Sequence, residues 1–258
     1  MSTVLAVNRA GIIAHPEREL DECQRTQIEL MLARREAGEP MAYILGRREF
    51  YRLEFAVTPD VLIPRPETEL LVEQVLARIS SNVADIKMPV KRVLDLGTGS
   101  GAIAVSVAAE RPGVSVTATD ISERALVIAK RNAGRHGVNI HFIESDWFSE
   151  IGAETFDIIV SNPPYIALGD RHLCEGDLRF EPPQALTDWV KGAQGLACIR
   201  QIVADAPSYL SDGGWLLFEH GFDQADACRQ LLSENGFVEL VAIADLAGII
   251  RVSGGRKG

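Results

Sequence analysis

Hydrophobic and polar positions along this chain change their pattern near Lys91. Before it, Leu20, Cys23, Gln27, Leu30 and Met31 fall at helical spacing among charges, which predicts a helix from about Glu19 to Arg35. Gly38 and Pro40 stop it. Glu49 to Val57 partly alternates and predicts a hairpin. A second helix is predicted over Glu69 to Ile79, with Glu67 or Thr68 as its cap. Arg65 stands between Pro64 and Pro66 and is held extended. It either leads the chain into the helix or points at a site. Ser80 to Pro89 is polar and irregular and reads as a linker.

From Lys91 onward, short apolar runs alternate with helical patterns, the signature of an α/β fold built on a parallel sheet. Strands are expected at Arg92 to Leu96, Val114 to Thr119, Ile140 to Ile143, Phe156 to Val160, Trp215 to Glu219, Phe237 to Ile243 and Ile249 to Val252. Helices are expected at Ala102 to Glu110, Ser122 to Arg135, Gly195 to Leu210 and Gln224 to Glu234. Pro112-Gly113, His136-Gly137 and Asn235-Gly236 act as stops. No internal repeat interrupts this order.

A chain of 258 residues with 47% apolar content has room for one large α/β domain and a small appendage. No apolar run reaches the ~18 residues a membrane span needs, and the first residues lack a signal-peptide pattern. Cys23, Cys174, Cys198 and Cys228 are far apart, so free thiols in a cytoplasmic protein are expected. His172 and Cys174 lie close together but form no zinc signature; no metal is expected. A net charge of −10 speaks against broad binding to nucleic acid, which relies on phosphate neutralisation.

The chemistry collects at strand ends, where open parallel sheets bind their ligands. The loop Gly97-Thr98-Gly99-Ser100-Gly101 joins a strand to a helix, and its glycines allow close approach of a ligand to backbone. The next strand ends in Asp120, placed to hold ribose hydroxyls. Asp146-Trp147 ends the third; it either accepts from and packs on an adenine or is a capping aspartate beside a core-edge tryptophan. Trp189, in the loop after Pro182-Pro183, is expected outside that pocket. The fourth strand ends in Asn162-Pro163-Pro164-Tyr165. Two prolines make the chain stiff, their carbonyls accept, Asn162 adds a side-chain oxygen and Tyr165 a flat face. This set suits a planar group bearing –NH2. Nothing is provided for a pyrophosphate, so the order of strand ends favours S-adenosylmethionine over a dinucleotide.

With these residues in place, the chain resembles the class I S-adenosylmethionine methyltransferases that modify amino nitrogens. More narrowly, it is similar to the HemK-type N5-glutamine methyltransferases of peptide chain release factors. The matching stretches are Gly38 to Gly46, Leu62-Ile63-Pro64-Arg65-Pro66-Glu67-Thr68-Glu69, Leu94 to Gly101, Ser145 to Phe148, Val160 to Ile166 and Arg179-Phe180-Glu181-Pro182. The resemblance implies a doubly wound Rossmann-like sheet over 66–258, a hairpin connector over 46–65 and a shortened helical substrate-docking segment over 1–45. It implies S-adenosylmethionine as cofactor, held by 97–101, Asp120, Asp146, Trp147 and Asn162. It further implies a release factor as partner, a monomer, and methylation of the glutamine amide of a Gly-Gly-Gln loop. Asn162, Pro163, Pro164 and Tyr165 would hold that amide. The family's first helices are missing from the elements expected here. Gln194 stands where Asp is usual, and Ile249-Ile250 replaces a commonly charged pair. The rivals are a DNA or RNA amino-methyltransferase with the same chemistry, and a non-catalytic cofactor-binding subunit.

Overall fold

In the computed structural model, which describes residues 1–79 and 91–258, the chain opens with α1 (Ser2–Leu5), α2 (Arg9–Ala14), α3 (Glu22–Glu36) and α4 (Met41–Leu45). The linker expected over Ser80 to Pro89 lies outside the described residues. α3 carries a reciprocal cap, Asp21 with Gln24, and has no buried residue, so local hydrogen bonds rather than a core define its start. α4 ends at Gly46 in the left-handed region (φ 68), which reverses the chain into a hairpin. Its strands, β1 (Arg47–Phe50) and β2 (Leu53–Ala56), pair antiparallel. Tyr51 and Arg52 turn it with φ of 46 and 63, a two-residue reversal with both central residues left-handed. Glu69, at the start of α5 (Glu69–Arg78), accepts from the Tyr51 N–H at 2.8 Å and fixes the turn to the main domain.

The main sheet follows. β3 (Arg92–Leu96), α6 (Ala102–Glu110), β4 (Ser115–Asp120), α7 (Glu123–Arg135), β5 (His141–Glu144) and β6 (Phe156–Ser161) come first. After a long loop come α8 (Ala197–Tyr209), β7 (Leu210–Glu219), α9 (Ala225–Glu234), β8 (Phe237–Ala244) and β9 (Ile250–Lys257). Seven strands lie in the order β5-β4-β3-β6-β7-β9-β8. The first five are parallel; β9 and β8 close the edge antiparallel. β7 starts at Leu210, earlier than the apolar run at Trp215 suggests, because Phe156 pairs with Leu210 across an irregularity in the ladder.

Strand alternation splits the core in two. Val93, Ile158, Val160 and Leu217 face α5 and α6, while Leu94, Ile159, Leu216 and Phe218 face α8 and α9. A third cluster, with Tyr43, Val57, Val61 and Ile63 against Ala125 and Ile128, fastens α4 and the loop after β2 to α7. β3 is followed by β4 on one side and lies next to β6 on the other, so the order reverses between β3 and β6. The crevice at that reversal is where an open α/β sheet holds its ligand. The four cysteines are free, and His172 pairs with Asp170 in a surface turn. Among the described residues, no helix is long and apolar enough to cross a membrane.

Candidate active site

The glycine loop leaves β3 under tight control. The Thr98 N–H bonds the Thr119 carbonyl at 2.8 Å, and the Thr98 hydroxyl donates to Asp95 Oδ2 at 2.6 Å. Gly97 and Gly99 take φ of 68 and 57; a Cβ on Gly99 would meet open space, and one on Gly97 would sit 3.4 Å from the Trp147 ring. Gly101 has a different task. A Cβ there would lie 3.2 Å from the Ala129 Cβ, so this glycine lets α6 start against α7. Asp120 closes the loop from β4: Oδ2 accepts from the Gly99 N–H at 2.8 Å and Oδ1 from the Ser122 N–H at 2.9 Å. Burial raises the Asp120 pKa, and those two hydrogen bonds pull it back.

Trp147 follows β5 in a left-handed conformation (φ 48), fixed by Ser145, whose hydroxyl donates to the Trp147 carbonyl at 3.0 Å. β6 delivers Asn162. Its Nδ2 donates to Thr68 Oγ1 at 3.1 Å, Thr68 Oγ1 donates to Glu219 Oε2 at 2.6 Å, and the Tyr165 hydroxyl donates to Glu219 Oε1 at 3.0 Å. Thr68, expected as a helix cap, therefore makes no side-chain cap bond; its proton goes to Glu219. Burial raises the pKa of Glu219, opposed by the two hydroxyl donors.

The loop after β6 folds back as a roof. Ile166 bonds the Leu186 carbonyl at 2.9 Å, and buried Glu181 accepts from Ile63 N–H at 3.0 Å and pairs with Arg65. Arg65 thus serves neither of its expected roles alone: it locks the Pro-Arg-Pro loop to the Arg-Phe-Glu-Pro loop. Asp188 accepts from the Val190 and Ala197 N–H groups and starts α8.

Under this roof lies a cavity of about 290 Å³. Of the residues expected from sequence, Gly97, Thr98, Gly99, Ser100, Asp120, Asp146, Trp147, Asn162 and Pro164 line it. Gly101, Pro163 and Tyr165 do not. Pro163 is buried, and the Tyr165 ring packs against the core that holds Phe218, with its hydroxyl on Glu219. The stacking expected of Tyr165 is therefore replaced by a supporting position. Trp189, expected elsewhere, is in the wall, carried there by the roof loop. Asp60, Leu62, Thr68, Gln184, Thr187 and Cys198 also line it and were missed as site residues; only the Pro-Arg-Pro and Arg-Phe-Glu-Pro motifs hinted at them.

An adenosine-bearing ligand fits these walls. Backbone is open at Gly99, Asp120 keeps lone pairs beyond its two N–H bonds, and Ile103, Ile121 and Trp147 supply apolar surface. Among the described residues, the wall has no Lys or Arg for a pyrophosphate.

Sheet order, glycine loop, strand-end acid and Asn-Pro-Pro-Tyr at the reversal point define a class I, S-adenosylmethionine-dependent methyltransferase. Solved structures agree on the fold. A methyltransferase from Pyrococcus furiosus matches with TM-score 0.58 and 20% identity, over 88% of this chain and 98% of that one. The T. thermophilus 16S rRNA N2 G1207 methyltransferase, in complex with AdoMet and guanosine, matches with TM-score 0.58 and 19% identity, over 82% of this chain and 50% of that one. The Methyltransferase small domain family matches residues 66–174, and the PrmC N-terminal domain family matches residues 1–46. Release factor glutamine methyltransferases of Burkholderia pseudomallei and Neisseria gonorrhoeae are 51% and 50% identical, over 99% and 96% of this chain and 89% and 88% of their own lengths. The chain belongs to the release factor glutamine methyltransferase family.

Proposed function

We propose that this protein transfers a methyl group from S-adenosylmethionine to the side-chain amide nitrogen of the glutamine in the Gly-Gly-Gln motif of peptide chain release factors. The observation that carries the reading is the shared cavity wall: Asn162 and Pro164 stand in one crevice with the glycine loop, Asp120 and Trp147. Gly97, Thr98, Gly99, Ser100, Asp120, Asp146 and Trp147 hold the cofactor. When bound, it supplies an electrophilic methyl and a thioether leaving group.

An amide nitrogen is a poor nucleophile because its lone pair is delocalised into the carbonyl. Asn162 Oδ1, in the wall, accepts one of its N–H bonds, and the carbonyl of Pro163, buried between the lining residues Asn162 and Pro164, accepts the other. Together they aim the nitrogen at the methyl and stabilise the positive charge that develops there. Pro164 packs on the amide plane; Tyr165 supports from beneath. The nitrogen's surplus proton leaves to solvent after transfer. The protein acts as a cytoplasmic monomer, and residues 1–45 help hold the release factor.

The test is mass spectrometry of release factors incubated with the protein and methyl-labelled cofactor. Label on the glutamine of Gly-Gly-Gln is expected. Label on another residue, or on nucleic acid alone, overturns the reading.

A further inference from the structure

We propose that Glu219 and Thr68 form a relay that fixes which way the Asn162 amide faces, so that its oxygen and not its nitrogen meets the substrate. This rests on the reading of Asn162 as acceptor for the reacting amide.

An asparagine side chain has an accepting end and a donating end of nearly equal shape. Turned over, Asn162 would present –NH2 to a substrate –NH2, and the contact would repel. Shape alone does not choose between the two, so a hydrogen bond must. Thr68 makes that choice. Its hydroxyl has one proton. With Glu219 ionised, held so by the Thr68 and Tyr165 hydroxyls against the desolvation that raises its pKa, both carboxylate oxygens can only accept. With Oγ1 at 2.6 Å from Glu219 Oε2, the proton points to Glu219. The Thr68 lone pairs are then left for Asn162, 3.1 Å away, and only the –NH2 end satisfies them. Tyr165 donates to the other Glu219 oxygen at 3.0 Å, so both oxygens are occupied by O–H donors. Glu219 and Thr68 are 2% and 4% exposed, which keeps water from standing in for either.

The relay also explains a buried acid that packing does not need. Retaining a carboxylate here costs desolvation that an apolar residue of similar volume would avoid. The relay joins three separate places: Glu219 at the end of β7, Thr68 just before α5, and Asn162 and Tyr165 just after β6. Glu219 lies outside the cavity wall and Thr68 stands in it; both are positioning residues that act on the substrate by orienting Asn162.

The experiment compares Thr68→Val, Thr68→Ser, Glu219→Gln and Asn162→Ala in steady-state methylation of a release factor, with cofactor affinity and thermal unfolding measured on each. Glu219→Gln keeps the shape but no longer fixes which end faces Thr68. Thr68→Val is expected to lower kcat by roughly ten- to a hundredfold, and Glu219→Gln by a smaller factor. KM and cofactor affinity should stay within about twofold. Thr68→Ser, which keeps the hydroxyl, should retain the parent kcat within about threefold. Adding either relay change to Asn162→Ala should cost nothing further, because the group they orient is gone. If Asn162→Ala itself keeps the parent rate, the acceptor reading fails. If Asn162→Ala is slow but the relay variants keep the parent kcat, or their losses add in full to it, the relay is overturned and the acceptor reading stands. Should Glu219→Gln not fold, Thr68→Val, which removes a single hydroxyl, decides the question alone.

Discussion

Asp95 and Asp120 sit on either side of the glycine loop and answer to different tests. Asp120→Ala removes the acceptor proposed for the ribose, a charge-assisted contact worth about 1.5–3 kcal/mol. Cofactor affinity measured by calorimetry should fall roughly ten- to 150-fold. An unchanged affinity in a folded variant would rule out the assignment. Asp95 is 1% exposed; one oxygen accepts from Thr98 and Ala104, and the other has no protein partner among the described residues. Burial pushes its pKa up to about 7, against the pull of the Thr98 hydroxyl. The folded protein thus holds this proton more tightly than the unfolded chain, whose Asp titrates near ~3.9. The stability this group confers is fully present below ~4 and is lost as pH rises through about 7. Asp95→Asn should remove that slope, on the order of 1 kcal/mol per pH unit. Urea midpoints of parent and variant at pH 5 and pH 7.5 measure it: the variant should gain on the parent as pH rises. A constant difference would show that Asp95 is ionised throughout.

At the scale of elements, the Arg65–Glu181 ion pair fastens the roof over the cavity to a loop far away in sequence. Glu181 has a fully buried side chain and Arg65 is 28% exposed. Arg65→Ala strands a buried carboxylate, which costs about 3 kcal/mol, and should lower Tm by roughly 6–12 °C while weakening cofactor retention. Glu181→Gln still offers an acceptor to the Ile63 N–H and should cost less; equal thermal shifts for the two would argue against the pair as the fastening. Nothing local in the sequence announces this contact. β3 and α6 are legible to the residue, because a short buried run and a Pro-Gly stop are local signals. The first helices, expected to be missing, are present as α1 and α2, which are too short to show a period. The placement of Trp189, the Thr68–Glu219 bond and the supporting position of Tyr165 all depend on where the roof loop and β7 arrive in space. The Asn-Pro-Pro-Tyr motif was readable as chemistry; which of its four residues face the cavity was not.

For the molecule as a whole, charge bears on whether the substrate is a protein or a nucleic acid. Net charge is −10, and among the described residues the cavity wall carries Asp60 (paired with Arg124), Asp120, Asp146 and Asp188 and no Lys or Arg. An enzyme that takes a base out of DNA or RNA needs cations near the mouth to hold the flanking phosphates. Acids in the wall act over the Debye length, about 8 Å at physiological salt, and repel a polyanion over the part of its approach that matters most. Transfer RNA or duplex DNA, added at roughly ten micromolar to the release-factor assay, should leave the rate unchanged and take up no label. The comparison is made at two salt levels. Phosphate-driven binding would tighten by orders of magnitude between roughly 200 and 50 mM salt. Inhibition that deepens as salt falls, with label appearing on the nucleic acid, would reinstate the amino-methyltransferase of nucleic acids as this chain's activity. A rate indifferent to both competitor and salt leaves the amide of a protein loop as the group the Asn162 crevice is built to hold.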